Sequence, residues 1–517
     1  MNPRTSKWFA AIALILSFLT VARTPAQTQE EQKGQKTQHH HYKLVDMGTL
    51  GGPNSGLSVP GFQILNNRGM FAAFANTSTS NPNSNCFVPF NAPDCFVEHP
   101  VVWHNRVLTD LGVLPGGTNG QTTWISASGL IAGFSENGVI DPLTGQPEGV
   151  AVLWQGGKPT NLGTVPGGTE SLGVAVNSRG QVVGFSSNDL PDPFSIAGFP
   201  TQTRAFLWQK GAMLDLGTLG GPDAYASCVN ERGQVVGFSY TDSNVNPVTG
   251  MPTGHPFLWQ DGEMTDLGTL GGTLSGWFAG GTLCALNNQG QVVGASNLAG
   301  DLVTHPFLWS KTEGLKDLGT LGGTFGHPDW INDVGEVVGY ATTAGDQVGH
   351  AFLWCRGVMT DLGTVGNDPQ SEGESINSQG QVVGVSFDSG GNDLHGFLWE
   401  DGGPIVDLNT LVPPGSSLTV VNAVNINDRG EIAATGFLSN GDARAFLLIP
   451  CDENHPEVAG CDYDPVEAVT AVPVRSAQIT LAPAAASAAK LSPAEISARY
   501  RSLMGNRSRR FGALPRQ

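Results

Sequence analysis

Apolar residues along this chain fall in short runs of strand length, each closed by a glycine turn, and no long 3.6-residue periodicity interrupts them. In Asn230-Glu231-Arg232-Gly233-Gln234-Val235-Val236-Gly237 an Asn-x-x-Gly turn leads directly into a Val-Val-Gly run. The apolar stretch before such a turn and the run after it predict one hairpin, with Asn bonding its own backbone and Gly taking a positive φ. Phe257-Leu258-Trp259 and the stretch ending in Asp266-Leu267-Gly268 predict a second hairpin, joined through Asp261-Gly262-Glu263.

These phrases recur in one order. Asp-Leu-Gly or its variants start at Asp46, Asp110, Asn161, Asp215, Asp266, Asp317, Asp361 and Asp407. The Asn-x-x-Gly turn or its variants end at Gly69, Gly129, Gly180, Gly233, Gly290, Gly335, Gly380 and Gly430. Trp recurs at 103, 154, 208, 259, 309, 354 and 399, with Leu448 in the last slot. The chain therefore holds eight units of roughly 50 residues, the size of propeller blades. A lone four-stranded sheet leaves both faces open, so neighbours must stack, and closing the ring protects the ends. The expected fold is all-β: a single β-propeller of eight four-stranded blades, with the recurrent Trp packing between blades. The first unit opens with a lone fourth strand at 42–48, and the last stops after its third. Residues 42–48 are thus expected to complete the blade from about 420–450, with an open solenoid as the alternative.

A second pattern runs through the units. A basic residue stands ahead of the Phe-Leu-Trp slot in seven of the eight units, and in six of these an Asp follows 11 or 12 positions later. The expected pairs are His99–Asp110, Arg204–Asp215, His255–Asp266, His305–Asp317, His350–Asp361 and His395–Asp407, with Arg444 meeting Asp46 if the ring closes. In the second unit Val150 and Asn161 replace both members together. Symmetric recurrence argues for a structural role, since a catalytic constellation is a single asymmetric cluster.

Composition narrows the class. Among 517 residues there are 70 Gly and 33 Pro, which suits a turn-rich β architecture. A net charge of −19 argues against nucleic acid as a partner. Arg4 and Lys7, the apolar run Trp8–Val21 and Thr24-Pro25-Ala26 form an export-signal pattern over 1–26, too short for the roughly 20 apolar residues of a membrane span. No other stretch is apolar enough to span. The protein is expected to be exported, extracellular, periplasmic or at the cell surface, and monomeric. Export permits disulfides at Cys86–Cys95 and Cys451–Cys461, whereas Cys228, Cys284 and Cys355 sit in strand-like runs and are expected as thiols.

Beyond the signal, 27–41 is a polar leader, 42–450 the propeller and 451–461 a stapled cap. Residues 462–490 form an Ala/Pro-rich linker. The tail 491–517 carries six Arg against Glu495 alone, a charge of +5.

Gly349-His350-Ala351-Phe352-Leu353-Trp354, with Asp361-Leu362-Gly363 and Ile376-Asn377 to Val383-Gly384, resembles the HAF family of probable extracellular repeats. The resemblance covers about 44–450 and implies an exported, bacterial repeat protein. It brings no catalytic residues with it.

No catalytic group, cofactor or metal site is expected. The Gly-Gly turns lack a following helix to bind phosphate. Asn332-Asp333-Val334-Gly335-Glu336 and Asn427-Asp428-Arg429-Gly430-Glu431 read as hairpin turns rather than calcium loops. His39-His40-His41 lies in the leader. Departures from symmetry are where function is expected. They are the inserts 76–98, 137–149, 188–203 and 242–254, and Trp124, Trp277 and Trp330, which stand outside the repeated Trp slot as candidate ligand-facing aromatics. The expected function is binding of an extracellular glycan or protein, with a propeller hydrolase or lyase acting on glycans or peptides as the alternative.

Overall fold

Local turn chemistry builds every unit. Asn230 Oδ1 accepts the N–H groups of Arg232 and Gln234 at 3.0 Å, and Gly233 takes φ +81°. The same clasp recurs around Asn66, Asn177, Asn287, Asn332, Asn377 and Asn427. Gly237 of Val-Val-Gly is dictated by space, because a Cβ there would stand 2.1 Å from the Tyr225 carbonyl and 2.4 Å from the Phe257 ring. The Phe of Phe-Leu-Trp thus lies across the second strand. Phe206, Phe257, Phe307, Phe352, Phe397 and Phe446 are fully buried, whereas the neighbouring Trp side chains range from buried to half-buried.

The computed structural model describes residues 38–57, 62–82, 95–246, 251–276, 286–388, 393–456 and 458–467. The fold is all-β, with one short 3-10 turn at Leu408–Thr410 and no α-helix among the described residues. Eight four-stranded antiparallel units follow one another. The third is representative, pairing Ser171–Val176, Val182–Pro191, Thr201–Gln209 and Ala212–Asp215 in sequence order. Five units are separate sheets; units four to six join into one twelve-stranded sheet through the single parallel pairs Gly254↔Leu274 and Thr304↔Phe325.

The eighth unit takes its outer strand from the other end of the chain. Tyr42–Asp46 pairs antiparallel with Ala443–Pro450 in the register Tyr42↔Pro450 to Asp46↔Phe446. Leu418–Ile426 and Ile432–Leu438 complete that sheet. A second, two-residue pairing joins Gln38–His39 to Val466–Glu467.

Burial grades across each unit. First strands such as Gly120–Ile125 and Ala224–Val229 are wholly buried, while fourth strands such as Val107–Asp110 and Glu263–Asp266 are mostly exposed. Neighbouring units bond to one another at their first strands: Thr123 donates to the Gly173 carbonyl at 2.6 Å, and Ile125 N–H to the carbonyl of Gln63, in the segment before the turn of unit one, at 2.8 Å. First strands therefore form the inner hub and fourth strands the rim. Trp154 donates across a unit boundary to the Gly112 carbonyl, and Lys316 lies 5.0 Å from the Trp354 ring centre.

The cysteines depart in part from expectation. Cys451–Cys461 is a disulfide and Cys355 is a half-buried thiol. Cys228 is disulfide-bonded, not a free thiol, because pairing depends on which strands fold brings together rather than on closeness in sequence. Cys95 is also disulfide-bonded, while Cys86 and Cys284 lie outside the described residues. So do the signal-like segment 1–26 and the basic tail 491–517.

Candidate functional site

The His/Arg–Asp slots sit on the rim. His99 Nδ1 lies 2.9 Å from Asp110, His255 2.9 Å from Asp266, His305 2.9 Å from Asp317 and His350 3.0 Å from Asp361. Arg204 grips Asp215 with two nitrogens, at 2.9 and 3.2 Å. The partners are diagonal across the hairpin rather than directly opposite, Asp266 facing Phe257 in register. Each Asp also accepts the N–H of the Gly two residues on, as Asp266 does from Gly268 at 2.7 Å. Asn161 keeps that turn bond with Gly163, so the second unit retains its turn while losing its pair. Burial opposes ionisation of Asp266 and Asp317, but the bonds from His255 or His305 and from the turn N–H outweigh it and hold both below the usual Asp range.

Two pairs differ from the rest. His395 meets Asp368 at 3.0 Å instead of Asp407, which turns away to cap the 3-10 turn by accepting Asn409 N–H. Asp368, in the loop between units six and seven, supplies a nearer carboxylate. His395 is raised above the usual imidazole value, burial opposing and the Asp368 bond prevailing. Arg444 Nε lies 3.6 Å from Asp46, an ion pair across the join of the two chain ends. Arg444 also contacts the Pro53 carbonyl and Asp442.

The hub carries a ladder of buried amides. The Nδ2 of Asn177 donates to the Asn230 carbonyl, Asn230 to Asn287, Asn287 to Asn332, Asn332 to Asn377 and Asn377 to Asn427, all at 3.0–3.1 Å. Asn427 then donates to the Asn66 carbonyl and Asn66 to Ser126, each at 3.0 Å. Ser126 replaces the amide in the second unit and cannot pass the chain on to Asn177.

Trp124 and Trp330, from the first strands of units two and six, stack with ring centres 6.3 Å apart and planes 13° from parallel. Trp124 is 5% exposed, so it packs against Trp330 and presents no ligand face. Trp330 is half-buried, and Trp277 lies outside the described residues.

One further hub cluster was missed by the sequence reading. His327 Nδ1 lies 3.3 Å from Asp329 Oδ2, and its Nε2 lies 3.7 Å from Glu372 Oε1 on the neighbouring unit. The His327 ring stacks on Tyr340 at 5.5 Å. A signal existed: His327 and Glu372 each stand five positions before the turn Asn of their unit, and Asp329 and Glu374 each stand three before it. The other six units carry no charged residue in either slot.

The described residues of the inserts in units two to four bond to the next unit. Asp141 accepts Thr169 Oγ1 at 3.2 Å; Asp223 accepts the N–H groups of Ile196 and Thr203 at 2.6 and 2.9 Å; Asn246 donates to Thr273 Oγ1 at 2.8 Å. Asp223 is pushed up to about 8, by burial and by the Asp192 carboxyl, against those backbone bonds. Glu170 rises to about 7, by burial and then by Asp141 and Glu148. The inserts of units two and three expose large apolar side chains: Ile140 is 58% exposed, Leu143 63%, Leu190 54% and Phe194 42%.

Where the chain ends meet, a polar cleft of about 270 Å³ is lined by His40, Gln379, Gln381, Glu400, Asp428 and Arg429 among others. Glu400 closes one wall, bonding buried His39 at 2.7 Å and Gln381 at 2.6 Å. In the cap, His455 bonds Asp452 at 2.7 Å and lies 3.6 Å from buried Glu431.

No family model and no curated protein matches this chain. Among solved structures it is similar to the β-propeller domain of the Trilobed protease from Pyrococcus furiosus, at 12% identity and TM-score 0.39 over 69% of this chain and 96% of that one. It is also similar to Kuenenia stuttgartiensis hydrazine synthase, at 11% identity and TM-score 0.32 over 55% and 43%. A polysaccharide lyase, ulvan lyase, follows at 10% identity and TM-score 0.26 over 74% and 77%.

Proposed function

We propose that this protein is an exported, non-catalytic binding protein of the HAF-repeat kind, built on a closed eight-bladed propeller, whose ligand docks on the inserts of units two to four. The observation that carries this reading is the apolar surface of those inserts. Ile140, Leu143, Leu190 and Phe194 are exposed on hairpins pinned by Asp141 and Asp223, so apolar side chains are held out to solvent on a fixed support. Contiguous exposed apolar surface marks interaction sites, and the proposal takes these side chains as parts of one such surface. Closure is supported by the Tyr42–Asp46 pairing and by the Asn427–Asn66 bond. Export is supported by the Cys451–Cys461 disulfide. No helix among the described residues is long and apolar enough to cross a membrane. The protein is taken as a monomer.

The test is a glycan and peptide array probed with the secreted chain and with an Ile140→Ser/Leu190→Ser/Phe194→Ser variant. Loss of the wild-type signal in the variant, at unchanged melting temperature, is expected. A signal that the variant retains overturns the insert site.

A hydrolase or lyase reading rests on one feature, the asymmetric His327–Asp329–Glu372 cluster. It predicts bond cleavage on a hit from the array, abolished by His327→Gln.

A further inference from the structure

The hub strands of units six and seven concentrate charge where the other units have none. His327 and Asp329 are two positions apart on the strand Gly322–Ile331, and a shift in register between Pro328 and Trp330 bends that segment. The bulge leaves Asp329 unpaired in the ladder, and its side chain lies 3.3 Å from that of His327. Glu372 reaches the same place from the strand Gln370–Ile376 of the next unit.

Asp329 is 5% exposed, and its Oδ2 is buried without a hydrogen-bond partner. A carboxylate in that position is costly unless a cation compensates it. The His327 contact alone is a poor substitute, since 3.3 Å to Asp329 and 3.7 Å to Glu372 are long for hydrogen bonds. One nitrogen and two carboxylate oxygens nevertheless lie within 4.8 Å of one another. The 3.3 Å between His327 Nδ1 and Asp329 Oδ2 matches the ligand–ligand edge of a tetrahedron with bonds of about 2.0–2.1 Å. His327 and Asp329 are buried, whereas the Glu372 side chain is 29% exposed and gives the site its open side.

We propose that His327, Asp329 and Glu372 form a binding site for one first-row divalent cation at the hub, with Zn²⁺ the best match. The ligand set decides the class. Calcium takes six to eight oxygens, whereas imidazole with carboxylates suits zinc and its neighbours. Three protein ligands leave a coordination position for water. The ion ties the first strands of units six and seven together beside the Trp124–Trp330 stack.

The test uses the full secreted chain, stripped with chelator and titrated with ZnCl₂ and, separately, CaCl₂, followed by calorimetry and thermal melting. One Zn²⁺ per chain and a raised melting temperature are expected, with no response to Ca²⁺. His327→Gln and Asp329→Asn should each weaken zinc about 100-fold or more, at or above the upper end of what losing an outer-shell partner costs. Metal-free Asp329→Asn should melt no lower than metal-free wild type, because the amide carries no uncompensated charge; a purely structural Asp329 would give a lower melt. His40→Ala/His41→Ala, which removes the leader imidazoles, should change nothing. The proposal is overturned if metal-free wild type shows no zinc-dependent shift, if Ca²⁺ acts equally, or if the shift survives Asp329→Asn. It is overturned equally if the shift disappears in His40→Ala/His41→Ala. Should His327→Gln fail to fold, Asp329→Asn decides alone.

Discussion

Hub and rim of this protein use the same residue types for different ends. At the rim, His and Asp meet within one hairpin, partly exposed, in four of the eight units. At the hub, His327, Asp329 and Glu372 meet across a unit boundary, mostly buried and in one place. Solvent screens the rim pairs, so each contributes little, and the second unit forms its sheet and turn with Val150 and Asn161 in those slots. Buried hub groups have no such relief, and what they bond to matters far more. At the rim the repeated His–Asp pairs are the cheap interactions, and at the hub the asymmetric charged cluster is the costly one.

That contrast can be broken in three ways. The largest effect is expected where the chain ends join the hub-to-rim sheet of unit eight. Tyr42 is 3% exposed and packs in a cluster with Leu411, Leu418 and Phe446. Tyr42→Ala should cost about 3–5 kcal/mol in denaturant unfolding, whereas Leu214→Ala on the exposed fourth strand of unit three should stay within about 0.5 kcal/mol. Equal losses would mean that the terminal strand adds no more than any rim strand.

A middle-sized effect is expected in the amide ladder. Asn427 bonds Asn66, Glu431 and the N–H of Arg429 while buried at 4% exposure. Asn427→Ala should cost about 2–3 kcal/mol by orphaning those groups. Ser126→Asn, which offers the missing amide toward Asn177, should gain up to about 1 kcal/mol. A neutral Asn427→Ala would reduce the ladder to decoration.

The smallest effect is expected at a rim pair. His305→Ala should cost less than about 1 kcal/mol at pH 7. The pH dependence fixes the sign. Asp317 is held below its ordinary value, so its stabilisation is present above the unfolded value near 4 and is lost as pH falls through the lower folded value. Melting temperature measured from pH 6 down to pH 2 should therefore fall less steeply in His305→Ala than in wild type. A variant as steep as wild type would detach Asp317 from its histidine.

Much of this was legible in the sequence because it is local. The Asn-x-x-Gly turn, the Val-Val-Gly run and the Asp-x-Gly turn are each written in a few consecutive residues, so eight four-stranded units and most rim pairs, 11 or 12 positions apart, could be read directly. The ends also declared themselves, since a lone fourth strand and a unit lacking one are complementary. Even there locality had limits: His395 follows the pattern yet bonds Asp368, because a loop from the preceding unit brings a carboxylate closer than the hairpin does.

What only the tertiary structure decided lies between units. Asn427 and Asn66 are 361 positions apart, and Trp124 meets Trp330 across the hub. His327 and Glu372 occupy the same slot of consecutive units, but nothing in their own segments says that the slot turns toward a neighbour. Sequence alone determined the repeating unit, since each unit is specified by bonds within a few dozen residues. The hub was settled by stacking, since its contacts exist only once separate units are brought edge to edge.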